Sequence, residues 1–527
     1  MVKKPVFIGG NRELFLDNHL ISSLKKGARR VLHHPERREV VMTFDEPHEF
    51  GNASNYHSIV KDNDRYLFYY RGGGGQPTPD GKGVFNFVLC VAETTDGINF
   101  KRCPVNRLPE GSNVVLNNTM TDDLTPNELN TCPATSTVFL DTNPDCPPEE
   151  KFKMIVSDET PPIECNGMYL YVSADGYNFT RKSDKRFDLD PESYYDSANL
   201  AFYDPNIGEY RLYYRHYKNL HDAGNKPIYR TIMTCRTRDF IHFHDTQILK
   251  FNPGFQALFN QGQQLYTNNA MTYFRAPHIY LGFPARYYDS GSWDYSVLNL
   301  PDLDLRTFRS GWSLREGTAI TETVLITSRD GVNFTGFGEA FLRPGPQKER
   351  SSWAYGDCYF GCGMIPTKSH LAYGTPDELS FYLTEAYGTE GTVRVRRCSL
   401  RMDGFVSINF PASGGILKTK PLVFTGNRLT LNLASGAFGR FKIGFQDENG
   451  TDIPGFSLDD AIPSTGDGLE LTAWWKNGCD VSSLAGKTVI LTMTARDADL
   501  YSIQFVDSEN FPELPELKVN NEDCPWR

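Results

Sequence analysis

Three acids stand out in this chain for where they fall. Asp196, Asp357 and Glu385 each lie at the edge of a short apolar run, among amides, arginines and tyrosines. The neighbouring polar residues are Tyr56, His57, Arg71, Arg215, His216, Asn268, Arg275, His278, Arg286 and Trp353. Two carboxyl groups astride one bond can do acid–base work. One, with a raised pKa, donates a proton to the leaving oxygen; the other, ionised, attacks or activates water. A guanidinium fork fits a carboxylate or sulfate, and an imidazole titrates near neutrality. Each residue also has a structural alternative. Asp196 could cap a strand start, the other two acids could pair with nearby arginines, and the histidines could hydrogen-bond within the fold. Glu128 and Asp158 are further acids of the same kind, and Trp293 and Trp312 further flat aromatic surfaces.

What must position these residues is a phrase that recurs five times. It reads Asp96-Gly97, Asp175-Gly176, Asp239-Phe240, Asp330-Gly331 and, in degenerate form, Asp403-Gly404, at intervals of roughly 60 to 90 residues. Asp-Gly between apolar runs signals a hairpin turn, because Gly accepts positive φ and Asp bonds its own backbone. Each copy follows three strand-like runs, the second rich in Tyr and Phe, as in Arg65 to Arg71 and Glu209 to Arg215, and a fourth run comes after it. Four antiparallel strands repeated five times predict an all-β fold, a five-bladed β-propeller over residues 45–412. Helical periodicity is almost absent. Residues 1–44 read as a lead-in packed on the propeller. Residues 413–527 lose the repeat and read as a β-sandwich with a C-terminal tail.

Strand direction then separates function from scaffold. Strands alternate, so first-strand starts and second-strand ends share one face, and the Asp-Gly turns occupy the other. The repeated aspartates are expected to be structural. The polar ring at the opposite face, with the longer loops 72–84, 217–227 and 287–320, is expected to bind a ligand.

Composition bounds the partners. The net charge is -11, and no basic stripe suited to nucleic acid appears. No apolar run approaches a membrane span. The start lacks the apolar middle of a signal peptide, leaving two readings: a cytoplasmic protein, or an exported one with its signal removed. The 11 cysteines are scattered without a Cys-x-x-Cys pair, so most are expected to be core residues, with one or two disulfides possible on export. Aromatics at 13% suit stacking on sugar rings. No cofactor is expected, with a channel ion such as calcium left open, and the oligomeric state is not readable.

Several stretches carry a resemblance: Leu14 to Asp17, Tyr66 to Arg71, Tyr195 to Asn199, Asp377 to Tyr382 and Leu422 to Gly426. Their order resembles the five-bladed propeller glycoside hydrolases of families 32, 43, 68 and 117, and more closely bacterial proteins similar to the amino-terminal domain of family 32. The family 32 Asn-Asp-Pro-Asn and Arg-Asp-Pro motifs are absent. The resemblance implies cleavage of a glycosidic bond in an oligo- or polysaccharide by paired carboxylates at the propeller mouth, with exo-action. Two alternatives stay open. One is a polysaccharide lyase acting on a uronate through Tyr56, His57, Arg215 and His216; the other is a glycan-binding propeller without turnover.

Overall fold

The computed structural model is 50% strand and 8% helix, as a chain rich in Tyr, Phe and tight-turn residues should be. It describes residues 4–49, 55–76, 84–105, 111–117, 131–158, 167–183, 185–189, 195–218, 228–311, 313–347, 350, 352–389 and 393–512. Two compact units emerge: His34–Met402, and Met1–His33 together with Asp403–Arg527. The stretch 1–44 is thus not one lead-in. Its first part belongs with the C-terminal segment, and the boundary expected near 412 falls at 402.

The His34–Met402 unit holds five antiparallel sheets in chain order. The first runs Ser58–Asp62, Arg65–Gln76, Val84–Thr94, Val114–Asn117, and the second Thr131–Leu140, Phe152–Asp158, Met168–Ser173, Thr180–Arg181. The third runs Leu200–Asp204, Glu209–Lys218, Tyr229–Thr237, Phe243–Ile248. The fourth runs Ala270–Tyr273, Ala276–Gly282, Ile326–Ser328, Asn333–Gly336, with Lys250–Phe251 added in parallel at its edge.

The fifth sheet departs from expectation at both edges. Its first strand is only Ile365–Thr367, and its fourth is Glu36–Thr43, taken from the N-terminal region. The strand that follows the fifth turn, Val406–Phe410, joins a sheet of the other unit instead. In that turn the positive φ (+62°) falls on Asp403 itself, and the Asp403 carboxylate accepts from Arg12, Asn432 and Ser502.

The first strands bond to one another in a cycle. Val138 N donates to Ser58 Oγ at 3.2 Å, and Thr137 Oγ1 donates to the Asn199 carbonyl. Asn268 Nδ2 donates to Ala198 O at 3.1 Å, and Asn269 Nδ2 donates to Phe360 O. Cys362 N to His57 O and Ile59 N to Cys362 O, both 2.8 Å, return the cycle to its start.

The Asp-Gly turns do structural work. Asp96 Oδ1 accepts from Ile98 N and Asn99 N at 2.8 Å, and Asp175 and Asp330 repeat the pattern. Partial burial pushes the Asp96 carboxyl up, but these bonds outweigh it and bring it to about 2. The neighbouring sheet reads the same turns. Tyr382 Oη donates to Gly97 O at 2.7 Å, Tyr69 to Gly176 at 2.7 Å, and Tyr213 to Gly331 at 2.8 Å. Gly176 combines φ of +81° with a Tyr69 hydroxyl 2.7 Å from where a Cβ would stand. Only glycine meets both conditions.

The 287–320 stretch is not a plain loop. It carries short helices at Tyr295–Leu298, Leu303–Ser310 and Leu314–Thr318. A three-stranded sheet, Gln264–Leu265, Ala285–Tyr288 and Ile320–Thr323, extends the fourth sheet toward it.

In the other unit, the long strands Arg428–Gln446 and Ile490–Val506 pair along most of their length. Around them lie the strands Ile21–Lys25, Arg29–Leu32, Val406–Phe410 and Gly415–Thr419. Its core gathers Phe410, Phe424, Phe445, Trp475 and Phe505.

Tyr382→Phe should cost about 1–2 kcal/mol, because the Gly97 carbonyl loses its buried donor. Denaturant unfolding measures this; an unchanged midpoint would show that the inter-sheet bond contributes nothing.

Candidate active site

At the end of the sheets away from the Asp-Gly turns, tyrosines and arginines form a continuous wall. Neighbouring ring centroids lie 6.2 Å apart for Tyr56 and Tyr359, 5.9 Å for Tyr359 and Tyr266, 5.8 Å for Tyr266 and Tyr355, and 6.3 Å for Tyr355 and Tyr387. Arg71 closes the circuit. Its Nη2 donates to Tyr387 Oη at 2.9 Å, and its guanidinium lies 5.3 Å from the Tyr56 ring. Tyr56, Tyr266 and Tyr355 precede first strands, whereas Arg71 lies in the second strand Arg65–Gln76 past the residues that pair with the first strand, and Tyr387 follows its second strand. Strand polarity therefore assembles the wall. Gly356 (φ +94°) makes room for it, since a Cβ there would sit 1.9 Å from the Tyr387 ring.

Further arginines stand among the rings. Arg215 lies 4.2 Å from the Tyr266 ring centroid and Arg230 5.0 Å from it. Arg309 and Arg315 lie 5.7 Å and 5.3 Å from that of Tyr355. Two carboxylates accompany them. Asp196 pairs with Arg215, and Glu316 with Arg309 and Arg315 at 3.3 Å and 3.2 Å.

Protons are distributed unevenly here. Burial pushes the Tyr266 phenol up, but Arg215, Arg230 and Arg315 outweigh it and hold it below the usual tyrosine range. Burial, and then the charge of Tyr266, push Tyr355 well up. Tyr355 Oη accordingly donates to Tyr266 Oη at 2.7 Å.

The three sequence-predicted acids separate. Asp196 is at the wall and its side chain is 47% exposed. Asp357 is buried behind it, where its oxygens accept from Ala354 N at 3.0 Å and Tyr387 N at 2.9 Å. Desolvation pushes it to about 7, against these bonds. Glu385 is corrected to a structural role. It pairs with Arg37, Arg394 and Arg396 at 3.4, 3.0 and 2.7 Å, joining the fifth sheet to its borrowed strand. Burial raises its pKa, but Arg396 and Arg394 outweigh it and lower it, the wrong direction for a proton donor.

Of the predicted binding residues, Tyr56, Arg71 and Arg215 reach the wall. His57 does not: it is buried and its Nε2 donates to Tyr382 O at 2.8 Å. His216 is buried and, next to Arg215 in a strand, points to the opposite sheet face. Asn268 is spent on the inner-strand cycle, donating to Ala198 O and Tyr213 O. Arg275 and His278 lie at the end bearing the Asp-Gly turns, because His278 falls near the start of its strand, Ala276–Gly282. Arg286 and Trp353 line a separate cleft of about 590 Å³ with Glu322, Glu339 and Arg343. There Arg286 Nε donates to Glu322 at 2.9 Å. Trp293 is half-buried in the stretch before the short helices. Glu128, Trp312 and the Asp158 side chain lie outside the described residues.

Sequence reasoning missed Tyr266, Arg230, Arg309, Arg315 and Glu316. Arg230 pairs in register with Tyr217, so third-strand starts, which share this face, would have found it. The last three sit on short helices with no periodicity to announce them. Among the described residues eight cysteines are free, no helix is long and apolar enough to cross a membrane, and no group of three or more His, Cys, Asp or Glu is placed to hold a metal ion.

No family model matches the chain, and no curated protein matches it. Its structural neighbours include glycoside hydrolases of families 43 and 130. One is a family 43 arabinoxylan arabinofuranohydrolase from Bacillus subtilis (TM-score 0.39, 11% identity, 89% of this chain and 99% of that one). Another is a beta-1,2-mannobiose phosphorylase from Listeria innocua (0.40, 11%, 70% and 96%). A third is an N-acetylgalactosamine deacetylase from F. plautii (0.40, 10%, 72% and 97%).

The Asp357 value carries a pH prediction. Its folded pKa of about 7 exceeds the unfolded value of about 3.9. The folded state therefore holds the extra proton between them. Stability from this group is full below about pH 4 and is lost as pH rises toward 7, by roughly 3–4 kcal/mol. In Asp357→Asn that slope should vanish, so the unfolding free energy of the variant should shift relative to wild type by roughly 3–4 kcal/mol in the variant's favour from pH 4 to 7. Parallel curves would show that Asp357 does not titrate there.

Proposed function

We propose that His34–Met402 is a five-bladed β-propeller, accompanied by a C-terminal β-sandwich, and that the protein is a glycan-active enzyme, a glycoside hydrolase acting on an oligo- or polysaccharide. One observation carries this reading: the tyrosine–arginine wall, built from first-strand starts and second-strand ends, with the half-exposed carboxylate of Asp196 on it. Aromatic faces take the apolar faces of sugar rings, and guanidiniums take their polar edges. Asp196 then serves as nucleophile or as base toward water. Glu316, on the helix Leu314–Thr318, is the second carboxyl at the wall that two-carboxyl cleavage calls for. Asp357 supports the turn bearing Tyr355 and acts as a positioning residue. The resemblance read from the sequence agrees with this class.

The test is turnover on a panel of polysaccharides and aryl glycosides, read as released reducing ends. Asp196→Asn and Glu316→Gln should each lower kcat by about a hundred- to ten-thousand-fold with an unchanged melting temperature. Full activity in both variants would remove the carboxylates from the mechanism.

A further inference from the structure

The wall holds more positive charge than its own acids answer. Arg215, Arg230, Arg309 and Arg315 share two carboxylates, Asp196 and Glu316, as ion-pair partners. Among the described residues Arg230 has no acid partner; it donates to Gln264 Oε1 at 2.7 Å. Each of the four also keeps a buried nitrogen without a hydrogen-bond partner among the described residues: Arg215 Nε, Arg230 Nε, Arg309 Nε and Arg315 Nη1, joined by the Tyr359 hydroxyl. Arg215, Arg309 and Tyr359 are 2%, 2% and 1% exposed. A buried donor left unmade costs free energy unless a ligand completes it. This concentration stands in a chain whose net charge is -11, so it is not a general surface property.

We propose that Arg215, Arg230 and Arg315, gathered around Tyr266, form a subsite for the anionic group of an acidic sugar, a carboxylate or a sulfate ester. This rests on the glycan reading above and narrows it to charged glycans. The geometry explains the shape of the subsite. Arg215 and Arg230 approach Tyr266 from neighbouring strands of the third sheet, and Arg315 comes from the helix beyond Tyr355. Tyr56, Tyr287, Tyr355 and Tyr359 enclose the place, with Asp196 and Glu316 at its edges. The same three arginines hold the Tyr266 phenol low. An anion bound among them screens that effect, so occupancy must raise the Tyr266 pKa.

The test titrates the full chain calorimetrically with galacturonate, glucuronate and mannuronate, each beside its neutral hexose, and with galactose 6-sulfate. At least one charged sugar should bind about ten-fold or more tightly than its neutral counterpart, an advantage that falls as salt rises. Preference for a uronate or for the sulfate names the anion. Arg230→Gln should lose most of the preference at an unchanged melting temperature, and exposed Lys368→Gln should keep it. Phenolate absorbance in the near ultraviolet, taken as wild type minus Tyr266→Phe, should titrate at higher pH with the sugar bound. Equal binding of charged and neutral sugars overturns the subsite and leaves the glycan reading intact. Absence of binding by every sugar, together with absence of turnover on neutral polysaccharides, overturns both.

Discussion

On the side away from their second strands, the five first strands place buried polar groups on one another. That constraint governs the His34–Met402 unit. A carbonyl or amide left unpaired inside such a structure costs about 1–3 kcal/mol, and a cycle of strands offers each group one neighbour on either side. Asn268 and Asn269 are the clearest instances. Each sends its side-chain amide across to the backbone of an adjacent sheet's leading strand. Residues that look like substrate contacts in the sequence are therefore the fastening of the fold. At the other end of the sheets, tyrosines of the second strands do the same work against the Asp-Gly turns of neighbouring sheets.

Once the sheets are fastened, chain direction decides what the site contains. Alternating strands bring Tyr56, Tyr266 and Tyr355 to one end with Arg71 and Arg215, and leave Arg275 at the other. Burial then sorts the acids. Asp357 is fully enclosed by backbone amides, and desolvation outweighs their pull, so it stays near neutrality. Glu385 is equally buried but faces three guanidiniums, and there the charged form wins. Asp196 keeps one arginine and an open side. Three carboxylates at comparable positions of the repeat thus acquire three different roles from their surroundings alone.

The legible part of this protein was the local part. Asp-Gly turns and Tyr-rich second strands announce themselves within six or so residues, because turn chemistry and alternation are short-range. The illegible part depended on partners distant in the chain. Glu36–Thr43 completes a sheet whose other strands begin at Ile365, and nothing within residues 36–43 distinguishes that fate from a solvated arm. Arg309 and Arg315 ride on helices of eight and five residues, too short for an amphipathic period to register. His278 was misplaced for a different reason: its strand was recognised, but a residue near the strand's start was grouped with those at its far end. Polarity within a correctly found element was the missing step.

The arginines raise the question of how the fold tolerates them. Four guanidiniums with two ion-paired acids would ordinarily repel one another and lose hydration. Here the aromatic rings supply part of the compensation. A cation over a tyrosine face gains about 0.5–2 kcal/mol, more when water is excluded, and Arg230 lies within 5.3 Å of three such rings, Tyr217, Tyr266 and Tyr287. Tyr266 supplies the rest by holding its proton loosely, with Tyr355 donating to its oxygen. That arrangement ties the phenol's proton affinity to the charge around it: the three arginines lower it, and an external anion among them raises it again. A cluster balanced this way is held in register without a ligand yet keeps its unpaired nitrogens for one.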